Sequence, residues 1–243
     1  MIRLENTQDY GWEAAIRGMR NPKNSWDKSD SYFGLMEDPE PINPDDWAHI
    51  VLGENDHDLM VRLRNAGTDH RKFMRMITVY VDCYAPIYWW KEFDTYKVGT
   101  VANSCSTMHK IHSKPIELSD FSMDDFYLGD DSSLDLKDMF INVVADCEYL
   151  RKLYLIADKN AKNEDSFTEA ERKHFRRQAK RFWKGLIQLL PSSYNQKRTV
   201  MLNYEVLANI YKSRKNHKLD EWKDFCKWIE SLPYSELITG GGR

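Results

Sequence analysis

Between Leu136 and Leu190 apolar residues return twice at helical spacing, and no other stretch of the chain limits its fold so strongly. Leu136, Met139, Phe140, Val143, Val144, Cys147 and Leu150 line one face of a long amphipathic helix. Asn160 to Ser166 is polar and reads as a hinge. Thr168 followed by Glu171 is a capping-box pattern, opening a second helix with Phe175, Ala179, Phe182, Leu186 and Leu190 as its apolar stripe and Pro191 as its stop. Further helices are expected at roughly 10–19, 50–66, 199–214 and 219–231, the last with Leu219, Trp222, Cys226 and Ile229 on one side.

One segment has a different period. From Phe73 to Asp82, Ile77, Val79 and Val81 alternate with Thr78, Tyr80 and Asp82, which predicts a strand. Ala85-Pro86 ends it, with Pro86 placed as the first residue of a helix through Phe93, and Tyr96 to Ser104 reads as a loop around Gly99. Four of the eight prolines, Pro22, Pro39, Pro41 and Pro44, fall in the first 60 residues and break periodicity there. The expected class is α+β: long helices with a small mixed or antiparallel sheet that contains the 73–82 strand. With 243 residues, one domain over 1–239 suffices, followed by a flexible glycine tail at 240–243.

Composition excludes several function classes. Lysine and arginine number 35 against 38 aspartates and glutamates, so at a net charge of −3 the chain lacks the global field of a nucleic-acid binder. No apolar stretch approaches the ~20 residues of a membrane helix, and the N-terminus has no secretory core. Cys83, Cys105, Cys147 and Cys226 are widely spaced, which suits a reducing compartment, and the expected location is the cytoplasm.

Three local patterns read as ordinary structure. Cys105, His109 and His112 have the spacing of three zinc ligands on one helical flank but no fourth ligand nearby, so no metal is expected. Lys173, Arg176, Arg177, Lys180, Arg181 and Lys184 are interleaved with Phe175, Phe182 and Trp183, yet most charges lie off the apolar stripe, as on a solvated helix. Asp124, Asp125, Asp130, Asp131 and Asp135 lack the spacing of a calcium loop. A fourth pattern carries more. Asn203, Leu207, Ile210 and Arg214 advance by 4, 3 and 4 residues, placing Asn203 and Arg214 on one helix face with Arg214 at the helix end and His217 just beyond. A guanidinium there can grip a phosphate or a carbonyl edge at two points.

With these residues the chain resembles the flavin-dependent thymidylate synthases. Their C-terminal half reads leucine-proline, then N-x-R, then a helix ending in L-R-x-x-x-H-A-Q; here stand Leu190-Pro191, Asn203-Tyr204-Glu205, Leu207, Asn209, Arg214 and, one residue early, His217. The N-terminal half matches as Ile77 to Val81, Ala85-Pro86-Ile87, Tyr88-Trp89-Trp90 and the stretch Tyr96 to His109. The likeness covers residues 60 to 232. Against it, the loop signature R-H-R-x-x-S-x-N-E-x-S-x-R-Y begins here as Thr95-Tyr96-Lys97, keeps Asn103 and Ser106 with one insertion, and closes on Met108-His109. The arginine of N-x-R is Glu205, and the A-Q pair is absent. Positive charge at the phosphate end is therefore reduced, and Glu205 would repel a phosphate unless a cation intervenes.

The resemblance implies a homotetramer with active sites assembled from several subunits. It implies bound FAD, with methylenetetrahydrofolate as one-carbon donor, NADPH as reductant, and dUMP or a related pyrimidine nucleotide as methyl acceptor. Arg214 and Ser106 become the catalytic candidates, and Lys97, Ser106 and Arg214 the substrate-binding ones. Tyr96, Lys97, Thr100, Asn103, Asn209 and His217 become the candidates for flavin contacts. Two alternatives remain open: a catalytically divergent nucleotide-binding homologue, and a nucleic-acid-binding module that uses the 173–184 helix.

Overall fold

The computed structural model describes residues 2–35, 48–124, 126 and 136–241. The chain opens with β1 (Arg3–Tyr10) and α1 (Trp12–Arg20), followed by two short 3-10 turns. β2 (Tyr32–Leu35) and β3 (Ala48–Val51) pair antiparallel, with Tyr32 opposite Val51. α2 (Glu54–Asn65) therefore starts later than the expected helix at residue 50. Its start is set from a distance: the Asp30 carboxylate accepts hydrogen bonds from the Asn55 and Asp56 amides, at 2.9 and 3.1 Å. No local pattern announces such a cap.

β4 (Thr78–Pro86) keeps the alternation read from the sequence, with Val79, Val81, Cys83 and Ala85 buried, but lies further along the chain than 73–82. Phe73 and Met74 instead bury themselves in a 3-10 turn, Lys72–Arg75. Pro86 ends the strand in extended conformation and caps α3 (Ile87–Phe93), so it precedes the helix instead of being its first residue. Within the expected loop lies β5 (Val101–Ser104), all four residues exposed, and α4 (Thr107–Lys110) follows it.

The two long helices come next. α5 (Leu136–Lys162) runs past the expected hinge at 160, and α6 (Glu169–Leu189) begins at the capping box. There the Thr168 hydroxyl accepts from the Glu171 amide at 3.4 Å and the Glu171 carboxylate accepts from the Thr168 amide at 2.8 Å. β6 (Asn195–Asn203) occupies the start of the helix expected at 199–214; α7 (Tyr204–Arg214) is the rest of it. α8 (Asp220–Glu230) and α9 (Glu236–Thr239) close the fold. Gly240, expected in a flexible tail, ends α9 in left-handed conformation at φ 88°, its amide donating to the Glu236 carbonyl.

Four strands form one sheet in the order β1-β4-β6-β5, and β2-β3 is a separate ribbon. This is the expected α+β class: a small antiparallel sheet with long helices. Among the described residues no helix is long and apolar enough to cross a membrane.

The chain divides into two compact units. The first comprises Met1–Arg3, Tyr84–Asp94 and Asn103–Arg198. Its core joins Phe140, Val144 and Cys147 of α5 to Leu186 of α6, Ile111, Ile116, Phe121 and Tyr194. Burial pushes the Cys147 thiol up to about 11, which makes it an inert core side chain. Trp89 stacks on Phe93, Trp90 meets both rings edge-on, and the Trp90 indole donates to the Gln196 carbonyl at 3.0 Å.

The second unit comprises Leu4–Cys83, Thr95–Ala102 and Thr199–Arg243. Trp12 packs edge-on against Tyr204 and Tyr234. A buried ion pair ties its N-terminal loops together: Arg20 Nε lies 2.6 Å from Asp56 Oδ1, with the two side chains 3% and 0% exposed. The other Asp56 oxygen accepts from the Ser29 and Ser31 hydroxyls and from the Asp30 and Ser31 amides. Burial alone would raise the Asp56 pKa. The hydrogen bonds from Ser31, Ser29 and Arg20 outweigh it and hold the carboxyl below 3.8.

Asp56→Ala leaves Arg20 buried without a counter-charge and is expected to cost about 3–5 kcal/mol, read from urea midpoints. Because the folded carboxyl titrates below its unfolded value of 3.8, its stabilisation is complete above that pH and is lost as pH falls through the folded pKa. Acid unfolding followed below pH 3.8 should therefore show a steeper loss in the wild type than in Asp56→Ala.

Candidate functional site

The candidate site of the second unit is organised by α7. Where β6 ends, the Asn203 side-chain oxygen accepts from the Val206 amide at 3.0 Å, capping the helix, and the side chain is buried. Asn203 thus acts as a helix start. Two residues on, Glu205 is 7% exposed, at the position where the resemblance expects an arginine. Its counter-charge is Arg71. Arg71 Nη2 donates to Glu205 Oε1 at 3.0 Å, while Nε and Oε2 face each other at 2.8 Å out of hydrogen-bonding alignment. The repulsion anticipated for Glu205 is met by this cation, and the pair is locally neutral.

At the other end of α7, three of the expected site residues meet at one indole. Arg214 Nε donates to the Tyr96 hydroxyl at 2.9 Å, and the guanidinium lies 4.7 Å from the Trp222 ring centre and 5.6 Å from that of Tyr96. Tyr96 and His217 both pack edge-on to Trp222 at 6.2 Å. His217 Nδ1 accepts from the Leu219 amide at 3.2 Å, so the neutral ring carries its proton on Nε2. Trp222 is fully buried. The sequence pattern placed it in the apolar stripe of α8 and gave no hint of this role. Its only signal was an indole soon after an arginine and a histidine.

The segment Thr95 to Thr100 meets α7 at two places. Tyr96 sits at the Arg214 end, and Gly99 sits over Asn203 and Val206 at the other, along a helix of 11 residues or about 16 Å. Between them Lys97 and Val98 are exposed. Gly99 has φ +78°, and a Cβ there would fall 2.8 Å from Asn203 Nδ2 and 3.0 Å from Val206 Cγ2, so both its conformation and its packing require glycine. Thr100 Oγ1 is buried with no hydrogen-bond partner. Asn209 is exposed on α7, five residues or about 140° around the helix from Arg214.

Asn103 and Ser106 belong to the first unit. Asn103 is exposed on β5. Ser106 caps α4, its hydroxyl accepting from the His109 amide at 2.9 Å. Cys105 is exposed, its backbone held by the Lys197 carbonyl and the Gln196 side-chain amide at 3.0 and 2.8 Å. His109 lies on the four-residue α4 and His112 on the 3-10 turn after it, so they share no helical flank, and the His112 ring packs on Tyr154. Among the described residues no group of three or more histidines, cysteines or carboxylates could hold a metal. The basic residues of α6 at 173, 176, 177, 180, 181 and 184 are exposed while Phe175 and Phe182 are half-buried, the layout of a solvated amphipathic helix. Of the acidic run, Asp125, Asp130, Asp131 and Asp135 lie outside the described residues.

Gly99→Ala forces an L-residue into left-handed backbone, at a cost of about 1–2 kcal/mol, and also displaces the Asn203 cap; a lower thermal midpoint with faster proteolysis at Lys97 is the expected result. Arg71→Ala should cost about 3–5 kcal/mol by leaving Glu205 buried and unpaired. The double replacement Arg71→Met, Glu205→Met should recover most of that loss in the same denaturation assay.

The sequence matches no protein-family model, and no curated protein matches it significantly. Two solved structures of thymidylate synthase X (ThyX), the flavin-dependent thymidylate synthase, from Helicobacter pylori, each with FAD and dUMP, are similar over the whole length. One has a TM-score of 0.59 at 14% identity, covering 99% of this chain and 98% of that one. The other has a TM-score of 0.57 at 15% identity, covering 100% and 99%. At this identity the likeness is one of fold: from end to end, the chain is built as the flavin-dependent thymidylate synthases are.

Proposed function

We propose that this protein binds a flavin nucleotide and a pyrimidine nucleotide and methylates the pyrimidine, as a divergent flavin- and folate-dependent thymidylate synthase. The observation that carries the reading is the full-length likeness to two ThyX structures holding FAD and dUMP. The residues present fit a flavin by donor type. Thr100 Oγ1 is a buried hydroxyl without a partner, Gly99 admits close approach of backbone, and Tyr96 and Arg214 supply an aromatic ring and a planar cation. Lys97 is the single cation of the 95–100 segment, so the diphosphate of FAD is held by less charge than the family signature provides.

When bound, the flavin supplies hydride, methylenetetrahydrofolate the one-carbon unit and NADPH the reducing equivalents. The protein supplies positioning and electrostatics. Arg214 grips a carbonyl edge or phosphate with its flat donor set, and Lys97 neutralises phosphate from an exposed position. Tyr96 and His217 hold the flavin side of the Arg214 corner, and Asn209 and Thr100 add polar contacts. Asn103 and Ser106 enter through the resemblance, Ser106 with a hydroxyl proton still to donate after capping α4. The expected assembly is a homotetramer in the cytoplasm.

A second reading is a nucleotide-binding homologue without catalysis. Thr95-Tyr96-Lys97 in place of the arginine-histidine-arginine signature, and the neutral Glu205–Arg71 pair, favour it. An absorbance spectrum of the freshly purified protein distinguishes the two. Oxidised-flavin bands in the near ultraviolet and blue, or their recovery on adding FAD, are the expected result. A colourless protein that takes up no FAD overturns the enzymatic reading.

A further inference from the structure

We propose that the exposed face of α6 is a second binding site, one that holds the sugar-phosphate backbone of a nucleic acid without reading its bases. The site lies within the first unit and does not depend on the functional reading above.

At about 100° per residue, Lys173, Lys180, Arg181 and Lys184 all fall within about 60° of Arg177 on the circumference of α6. All five are exposed. The same sector carries Ala170, His174 and Gln188 and no carboxylate. The other two arginines of the helix behave differently. Arg172 is paired with Glu164 and Glu169, and Arg176 with Glu169. None of the five has an ion-pair partner among the described residues. α6 therefore pairs its cations where an acid stands within reach and leaves one face with positive charge only.

A face that had only to be solvated would gain from mixed signs. Here Lys173 with Arg177, Arg177 with Arg181, and Lys180 with Lys184 are like-charge neighbours at i,i+4, each pair unfavourable in isolation. A polyanion laid along the row turns that repulsion into attraction. The repeat points to its kind: the cations extend over about 16 Å of helix axis, one per about 4 Å, comparable with one phosphate per about 3.4 Å along a strand of duplex DNA. A folded protein is a poorer occupant, because the sector offers no large apolar or aromatic anchor. A membrane is poorer still, because the apolar side of α6 is turned inward, with Ala179 and Leu186 buried. With no phenylalanine, tyrosine or tryptophan in the sector, nothing stacks on a base, so the contacts stop at the phosphates.

The test follows a fluorescein-labelled DNA duplex of about 20 base pairs and mixed sequence by anisotropy, titrated with the full-length protein at about 20 to 200 mM salt. Contact with five phosphates predicts that the logarithm of the binding constant falls with that of salt at a slope of about −4.5. The triple replacement Lys180→Gln, Arg181→Gln, Lys184→Gln is expected to bring the slope to about −2 and to weaken binding about a hundredfold at about 100 mM salt. Its thermal midpoint and its FAD uptake should match wild type, since all three side chains are exposed and none belongs to the candidate site of the second unit. Arg176→Gln removes a cation already paired with Glu169 and should leave the slope near that of wild type. A wild-type protein that binds no duplex at about 20 mM salt, a slope shallower than about −2, or equal losses in Arg176→Gln and the triple variant overturns the proposal. Equal competition by poly-L-glutamate, charge for charge, assigns the face to an acidic protein and overturns it as well.

Discussion

The amide side chain of Asn203 holds the second unit's site together. It marks the point where a half-buried strand becomes a largely buried helix, and its oxygen takes up one of the amide donors that every helix start leaves unsatisfied. The same side chain is the floor on which Gly99 rests, so the cap and the bend of the 95–100 segment depend on each other. From this junction the direction of α7 follows, and with it the placing of Glu205 at one end and Arg214 at the other. Gly99 packs on Asn203 at the start of that helix, and the Tyr96 hydroxyl, from three residues earlier, meets Arg214 at its end.

Buried charge is the second constraint. Arg20 with Asp56 and Arg71 with Glu205 are ion pairs taken out of water, and such pairs hold only when their remaining polar atoms are satisfied or well matched. Around Asp56 the match is thorough, with two hydroxyls and two amides completing the carboxylate. Around Glu205 it is leaner: one aligned hydrogen bond and one close contact out of line. A glutamate in this fold position is tolerable because an arginine from a distant turn has come to meet it. Where the resemblance expects an arginine this chain has a glutamate, and Arg71 neutralises it without leaving a net positive charge.

The sequence was most legible where one element carried its own signal. The α6 capping box, the long stripe of α5 and the alternation of Val79 and Val81 depend on residues close in sequence, and each appears in the structure with small shifts of boundary. Strands β1 and β5 were missed because their residues are largely exposed, which leaves no alternation to read. β6 was absorbed into a helix because its apolar residues continue without a break into those of α7, and only Asn203 divides them. The site was legible in part for the same reason. Arg214 and His217 follow from a local pattern, but Arg71 meets Glu205 from far away in sequence, and Trp222, though near Arg214, reads only as part of an apolar stripe.

What the sequence alone determined is the alphabet of elements and the α+β class, because periodicity, caps and prolines act over a few residues and need no partner. What the tertiary structure decided is which side chains share an environment: that Glu205 is neutralised by Arg71, that Asp30 starts a helix more than twenty residues later, and that an indole from α8 lies against the guanidinium from α7. The physical reason is that burial and long-range hydrogen bonding are properties of the folded chain. Desolvation sets the strength of a charge or a ring contact, and it exists only once distant segments have closed over it.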